Sequence, residues 1–153
     1  MAEGETRAGP SALGDSELRT ILEAARTVAV VGLSSKPHRP SYEVASYLQH
    51  SGYRIIPVNP HETEVLGQRA FASLLDLPER VDIVDVFRRR EHAPELAGQA
   101  VQIGARALWL QLGIVNEEAG RIADAGGLFV VMDLCIMTAH RRLGVGRTEE
   151  KEG

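Results

Sequence analysis

The chain predicts an α/β domain: a doubly wound, mostly parallel five-stranded sheet held between two helical layers. Three observations lead there. Short, wholly apolar, β-branched runs recur along the sequence. Amphipathic helical patterns separate them, as they do in βαβ units whose strands are buried on both faces. The residues that follow each run change abruptly to small, polar or cationic types.

Asp15 or Ser16 is placed to cap a helix over about 17–26, with Leu18, Ile21 and Leu22 along one face. Val28-Ala-Val-Val31 reads as the first strand. Ser41 is expected to cap a helix running to about His50, which Gly52 would close. Tyr53-Arg-Ile-Ile-Pro-Val58 reads as the second strand, with Pro57 favouring its end. A short extra strand is expected within 65–71 and a helical turn over 73–77. Val81-Asp-Ile-Val-Asp-Val-Phe87 is a strand, Glu91 to Ile103 a helix, and Ala105 to Leu110 a strand. Asn116 caps the next helix, with Glu117 and Glu118 in the first turn where the dipole favours negative charge. That helix ends at Gly126 or Gly127, Leu128 to Met132 forms the last strand, and a short helix follows from Cys135 to Leu143. Right-handed crossovers leave a Rossmann-like, three-layer αβα arrangement as the natural topology.

The 153 residues suit one domain over 16–146, with a flexible tail at 1–15 and a charged tail at 147–153. Hydrophobic residues make up 44% and charged residues 25%, which excludes wholesale disorder, collagen and coiled coil. No apolar run approaches the roughly 20 residues of a membrane-spanning helix, and the acidic start has no signal-peptide h-region. A net charge of -4 argues against a general nucleic-acid binder. The sole cysteine, Cys135, forms no disulfide within the chain, and a reducing cytoplasm is the expected compartment.

In a doubly wound sheet, ligands bind beyond the carboxyl ends of the strands near the switch in strand order. After the first strand stands Gly32-Leu-Ser-Ser-Lys-Pro-His-Arg-Pro-Ser41. Gly32 permits a tight turn, Ser34, Ser35 and Ser41 offer hydroxyls, and Lys36 and Arg39 supply positive charge. Of the 17 basic residues, 15 are Arg, which leaves Lys36 as the one lysine in the body of the chain. Together with a helix N-terminus these suit a phosphate or pyrophosphate; an ordinary βα loop of similar composition is the competing reading. Asn59 and Pro60 follow the second strand, Phe87 and Arg88 close the third, and Gln111 and Gly113 follow the fourth. Arg89 and Arg90 read as a solvated charge run, and Trp109 reads as core. Cys135 opens a helix, where a thiolate is favoured, although a small buried residue is the commoner reading. No Walker motif and no Gly-x-Gly-x-x-Gly is present. The second strand ends in Asn59 where a site for NAD usually offers an acid, which weakens NAD without excluding it. None of His38, His50, His61, His92 and His140 has metal-ligand spacing to another His or a Cys, and no metal site is expected.

Several of these segments in order resemble the small, free-standing CoA-binding domain proteins, relatives of the CoA-binding domain of the succinyl-CoA synthetase α subunit. They are Val28 through Tyr42, Gly52 through Pro60, Val81 through Arg88, Leu108 through Ala119 and Val130 through Cys135, within a resemblance spanning about 16–143. It implies a Rossmann-like domain with coenzyme A, or an acyl-CoA, in the crevice. The loop from Gly32 to Ser41 would take the phosphates and Asn59 and Pro60 the adenosine. Phe87 and Arg88 would line the crevice, with Gln111, Gly113 and Cys135 toward the pantetheine arm. Leu112 departs from the more polar residue expected there.

CoA ligases of this kinship carry a further domain with a phosphorylated histidine, and one domain consumes nearly all of this chain. A non-catalytic carrier, sensor or partner module is therefore expected rather than an enzyme. The alternatives are an NAD(P)-binding protein, the CoA-binding subunit of a split acyl-CoA synthetase, and a redox protein that joins Cys135 to the CoA thiol. Whether the chain forms a homo-oligomer stays open.

Overall fold

The computed structural model describes residues 13–146; the two tails expected from the sequence lie mostly outside them. Helix α1 (Asp15–Ala24) precedes β1 (Thr27–Val31), α2 (Pro40–His50) and β2 (Arg54–Val58). A small hairpin, β3 (Glu64–Val65) and β4 (Gln68–Arg69), leads through a 3-10 turn at Leu74–Asp76 into β5 (Ile83–Val86). A second 3-10 turn (Arg90–His92) leads into α3 (Ala93–Gln102), β6 (Ala107–Leu110), α4 (Glu117–Ala125), β7 (Phe129–Val131) and α5 (Ile136–Leu143).

The five long strands pair in parallel in the order β2-β1-β5-β6-β7. The chain therefore goes outward from β1 to β2 and returns across β1 to β5. The switch in direction falls between β1 and β5, the place where a doubly wound sheet opens a crevice. Strands β1, β5 and β6 are wholly buried because helices cover both faces. Leu18, Leu22, Val44, Leu48, Ile136 and Leu143 bring α1, α2 and α5 onto one face. Ala93, Leu96, Ala97, Ala100, Ala119 and Ala123 bring α3 and α4 onto the other. Trp109 has no exposed surface and lies in the first of these cores, with its indole N–H donating to the Leu134 carbonyl at 2.8 Å.

Several expected boundaries move, each for a local reason. Gly14, not Asp15 or Ser16, caps α1; Glu17 accepts from the Gly14 amide at 2.9 Å, which frees Asp15 to pair with Arg142 of α5 at 3.0 Å. Ser41 is not the cap of α2 either: Arg39 holds that position and Pro40 opens the helix, as a residue without an N–H does well at a first turn. Pro57 lies inside β2 rather than ending it. It is tolerated because β2 is an edge strand with one side that needs no ladder donor, and its carbonyl accepts from Phe71 N at 3.0 Å. The extra strand expected within 65–71 is a two-residue hairpin, with Leu66 at φ 56° and Gly67 at φ 76° turning it in the mirror-image geometry that suits strand twist. The expected helix from Glu91 starts as α-helix only at Ala93. Asn116 caps α4 as expected, accepting from Ala119 N at 2.9 Å. None of the described helices is long and apolar enough to cross a membrane.

Candidate functional site

The switch point brings Gly32, Phe87 and Arg88 into contact. Gly32 leaves β1 at φ 90°. A β-carbon on it would stand 2.6 Å from the Phe87 carbonyl oxygen and 3.1 Å from Arg88 Cδ. Glycine is thus demanded by the neighbouring strand's backbone as well as by the turn. The Gly32 amide is spent on Val58 O at 2.8 Å, so three strand ends meet at this residue.

The loop beyond is braced internally. Ser41, buried in the first turn of α2, accepts from Ser34 N at 3.1 Å. Ser34 Oγ accepts from Lys36 N at 3.0 Å, and Arg39 N donates to Lys36 O at 3.0 Å. These bonds hold Lys36 and Arg39 at the rim as exposed residues, and among the described residues neither is drawn into an ion pair. Ser35 N donates outward, to the carboxylate of Glu62 at 2.9 Å. A loop amide facing this rim is therefore already in contact with an anionic oxygen. The sequence reading missed Glu62 because nothing local ties it to residue 35.

Asn59 joins the first two strand ends. Its Nδ2 donates to Leu33 O at 2.9 Å and its Oδ1 accepts from His61 N at 2.9 Å, so both ends of the amide hold loops together. Pro60 and Arg88 line a cleft of about 210 Å³ on the α3 side of the strand ends, with Ser73, His92, Glu95 and Gln99. Ser73, His92 and Gln99 were not legible as site residues, since each reads as an ordinary cap or helix residue until α3 is folded back over β1. Arg88 is half-buried while Arg89 and Arg90 are exposed; the side chain nearest the strand end is the one turned toward the crevice.

A second cluster gathers at the ends of β6 and β7. Gln111 is buried, and its Oε1 accepts from Ile136 N, in the first turn of α5, at 3.0 Å. Gly113, at φ 88°, donates to Asp133 Oδ1 at 2.7 Å. Leu112 beside them is exposed. Cys135 caps α5 and is half-buried. Burial opposes its ionisation, but the amide and hydroxyl of Thr138, the Gln111 side chain and the Met137 amide outweigh it and hold the thiol below its ordinary value. The expected residues thus fall into two groups along one rim: the 32–41 loop with Asn59, Pro60, Phe87 and Arg88, and Gln111 with Gly113 and Cys135. Among the described residues no cluster of three or more His, Cys, Asp or Glu is arranged to hold a metal.

The family described as CoA binding domain matches residues 26–141. YneT of Bacillus subtilis is 45% identical over 125 residues, covering 82% of this chain and 93% of that protein. The ADP-forming acetate–CoA ligase II subunit alpha of Pyrococcus furiosus is 28% identical over 131 residues, covering 77% of this chain but only 29% of the ligase subunit. A solved structure of a hypothetical protein from Pyrococcus horikoshii is 40% identical with a TM-score of 0.83, covering 86% of this chain and 92% of that one.

Proposed function

This chain belongs to the CoA-binding domain family, and we propose that it holds coenzyme A, or an acyl-CoA, across the carboxyl ends of its parallel strands as a non-catalytic carrier, sensor or partner module. The observation that carries this reading is the contact of Gly32 with Phe87 and Arg88 at the switch between β1 and β5, which joins the 32–41 loop to the cationic end of β5. Lys36 and Arg39, exposed on the loop, and Arg88 at the junction bring positive charge to this rim of a protein whose net charge is -4.

Coenzyme A is a 3′-phosphorylated nucleotide with a pyrophosphate and a long thiol arm. The residues fit such a group in kind. The loop's cations supply charge-assisted bonds to phosphate. The Ser35 amide, which meets the Glu62 carboxylate, is suited to a phosphate oxygen instead. The cleft beside Pro60, Arg88 and His92 offers partly apolar walls to an adenine. Gln111, Gly113 and Cys135 border the course of the thiol arm. An NAD(P) reading has less support: β2 is followed by Asn59, whose side chain is occupied by Leu33 and His61, and the next acid, Glu62, is bonded to the Ser35 amide.

A second reading follows from the ligase relative. A CoA-binding subunit of a split acyl-CoA synthetase would use the same crevice and need a partner for the remaining chemistry. Affinity capture with this chain as bait, followed by an acyl-CoA synthesis assay on the captured complex, separates it from a free-standing carrier. The primary test is calorimetric titration of the purified full chain with CoA, dephospho-CoA and NAD. CoA binding tightest, with a measurable loss for dephospho-CoA, supports the proposal; NAD binding with no response to CoA overturns it.

A further inference from the structure

Asp85 stands in the central strand β5 with no exposed surface, and neither of its carboxylate oxygens meets a hydrogen-bond partner among the described residues. A buried carboxylate in that state is far too costly to keep ionised. Burial first, and then the charge of Cys135, push its carboxyl well above the usual range, so it retains its proton.

The register gives its direction. Asp85 pairs with Val30 on one side and Trp109 on the other, and residues paired across a sheet share a face. Val30 and Trp109 both lie in the core beneath α1, α2 and α5, against which Leu134 and Cys135 pack. The Trp109 indole reaches the carbonyl of Leu134, the residue before the thiol. Asp85 therefore faces the turn that carries Cys135.

The two groups are provided for unequally. Thr138, Gln111 and Met137 stand beside the sulfur and favour its ionised form, while the carboxyl has no hydrogen-bond partner among the described residues. The thiol is held below and the acid above their ordinary values of about 8.5 and 3.9. Among the other ionisable groups of this layer, Glu43 and His50 of α2 and Arg141 and Arg142 of α5 are exposed, and Tyr42 is half-buried. Tyr47 Oη and His140 Nδ1 lie 2.8 Å apart, Tyr53 donates to Leu22 O, and the exposed Asp133 accepts from Gly113. Helix α1 turns Leu18, Ile21 and Leu22 inward and leaves Asp15, Glu17, Arg19 and Glu23 exposed, and Arg88 lies beyond the strand end, lining the cleft on the α3 side. Among the described residues, Cys135 is the one charge that acts on Asp85.

We propose that Cys135 is a nucleophilic site for thiol–disulfide exchange with low-molecular-weight disulfides, and that Asp85 is its positioning group, a neutral acid that keeps a second charge from forming behind the sulfur. The Cys135 thiolate attacks one sulfur of the disulfide. A bond forms from Cys135 Sγ to that sulfur, the original S–S bond breaks, and the displaced thiolate leaves with the electron pair and takes a proton from water. The small disulfide is the oxidant and is reduced to one equivalent of thiol. The site does not rest on the CoA reading, because exchange requires only the disulfide, and a disulfide lacking a nucleotide tests it separately.

The experiment uses the full chain and oxidised glutathione. One glutathionyl group is expected on intact mass, removed by dithiothreitol and absent in Cys135→Ser. The rate of alkylation by iodoacetamide is expected to titrate with a midpoint below the ordinary thiol value. That midpoint is expected unchanged in Asp85→Asn, which imitates the protonated acid. Infrared spectra at neutral pH are expected to show a protonated-carboxyl band that is missing in Asp85→Asn, and that titrates away at lower pH in Cys135→Ser than in the wild type. If Asp85→Asn does not fold, that band and its fall in Cys135→Ser decide the matter. No adduct, an ordinary thiol midpoint, a midpoint that drops in Asp85→Asn, or no protonated-carboxyl band overturns the proposal.

Discussion

The backbone carbonyl of Phe87 stands 2.6 Å from the point a β-carbon on Gly32 would occupy. Two strands that are distant in sequence thus leave room for a hydrogen and nothing larger. Gly32→Ala is expected to lose at least about 2 kcal/mol of stability, from the positive φ and from a clash with backbone that has no rotamer to yield. Urea unfolding of the variant and the wild type measures the loss. Full stability would mean that β1 and β5 do not approach this closely.

Lys36→Ala and Arg39→Ala are each expected to weaken CoA binding by about 1–3 kcal/mol, the range for a charge-assisted contact, without altering the unfolding midpoint. Both side chains are exposed and outside any ion pair among the described residues, so the fold has little to lose. Calorimetry at two salt concentrations reads the effect, which shrinks as salt screens the phosphates. Unchanged affinity in both variants would remove the phosphates from this loop.

Glu62→Gln is expected to strengthen CoA binding severalfold, on the order of 1 kcal/mol. Its carboxylate is bonded to the Ser35 amide at 2.9 Å, and an incoming phosphate has to displace or repel it. Side-by-side titrations of the wild type and the variant check this; weaker binding by the variant would make Glu62 a support for the loop rather than a competitor.

Asp85 gives stability a sign with pH. Its folded-state value is raised, by burial first and by Cys135 second, so the folded chain holds this proton more tightly than the unfolded one. The stability it leaves intact is fully present below the unfolded value of about 3.9 and is lost as pH rises toward and through the folded value. Asp85→Asn is expected to abolish that decline and to exceed the wild type in stability at the alkaline end. Urea midpoints across pH 4 to 9 would show parallel curves if Asp85 were ionised throughout.

Trp109→Phe removes the indole donor to Leu134 O in a fully buried setting and is expected to cost about 1–3 kcal/mol from the orphaned carbonyl and the smaller ring. Faster alkylation of Cys135 is expected with it, as the turn before α5 loosens. A thiol whose reactivity does not change would separate the turn from the indole.

The alternation of apolar runs with amphipathic stretches determined the class of fold, since each run is too short for a helix and too apolar for an exposed strand. The position of the crevice followed from the same pattern, because only the carboxyl ends of parallel strands collect the βα loops on one rim. The cap of α4 was legible at Asn116, whose hydrogen bond reaches three residues along the chain. Ser41 was not legible in the same way: its hydroxyl turns back to Ser34, and that choice depends on how the loop closes. Strand order, the brace between Asn59 and Leu33, the Glu62 carboxylate against Ser35, and the α3 side of the cleft were decided by the tertiary structure alone. Each joins segments whose separation in sequence carries no periodic or local signal. Nothing along the run Ile83-Val-Asp-Val86 marked its acid as part of a site. The register that sets it beside Trp109, with Cys135 folded onto the same core, made it a chemical neighbour. Local hydrogen bonding and hydrophobic period act within a few residues and can be read along the chain, whereas contact between distant side chains exists only after the sheet has ordered its strands.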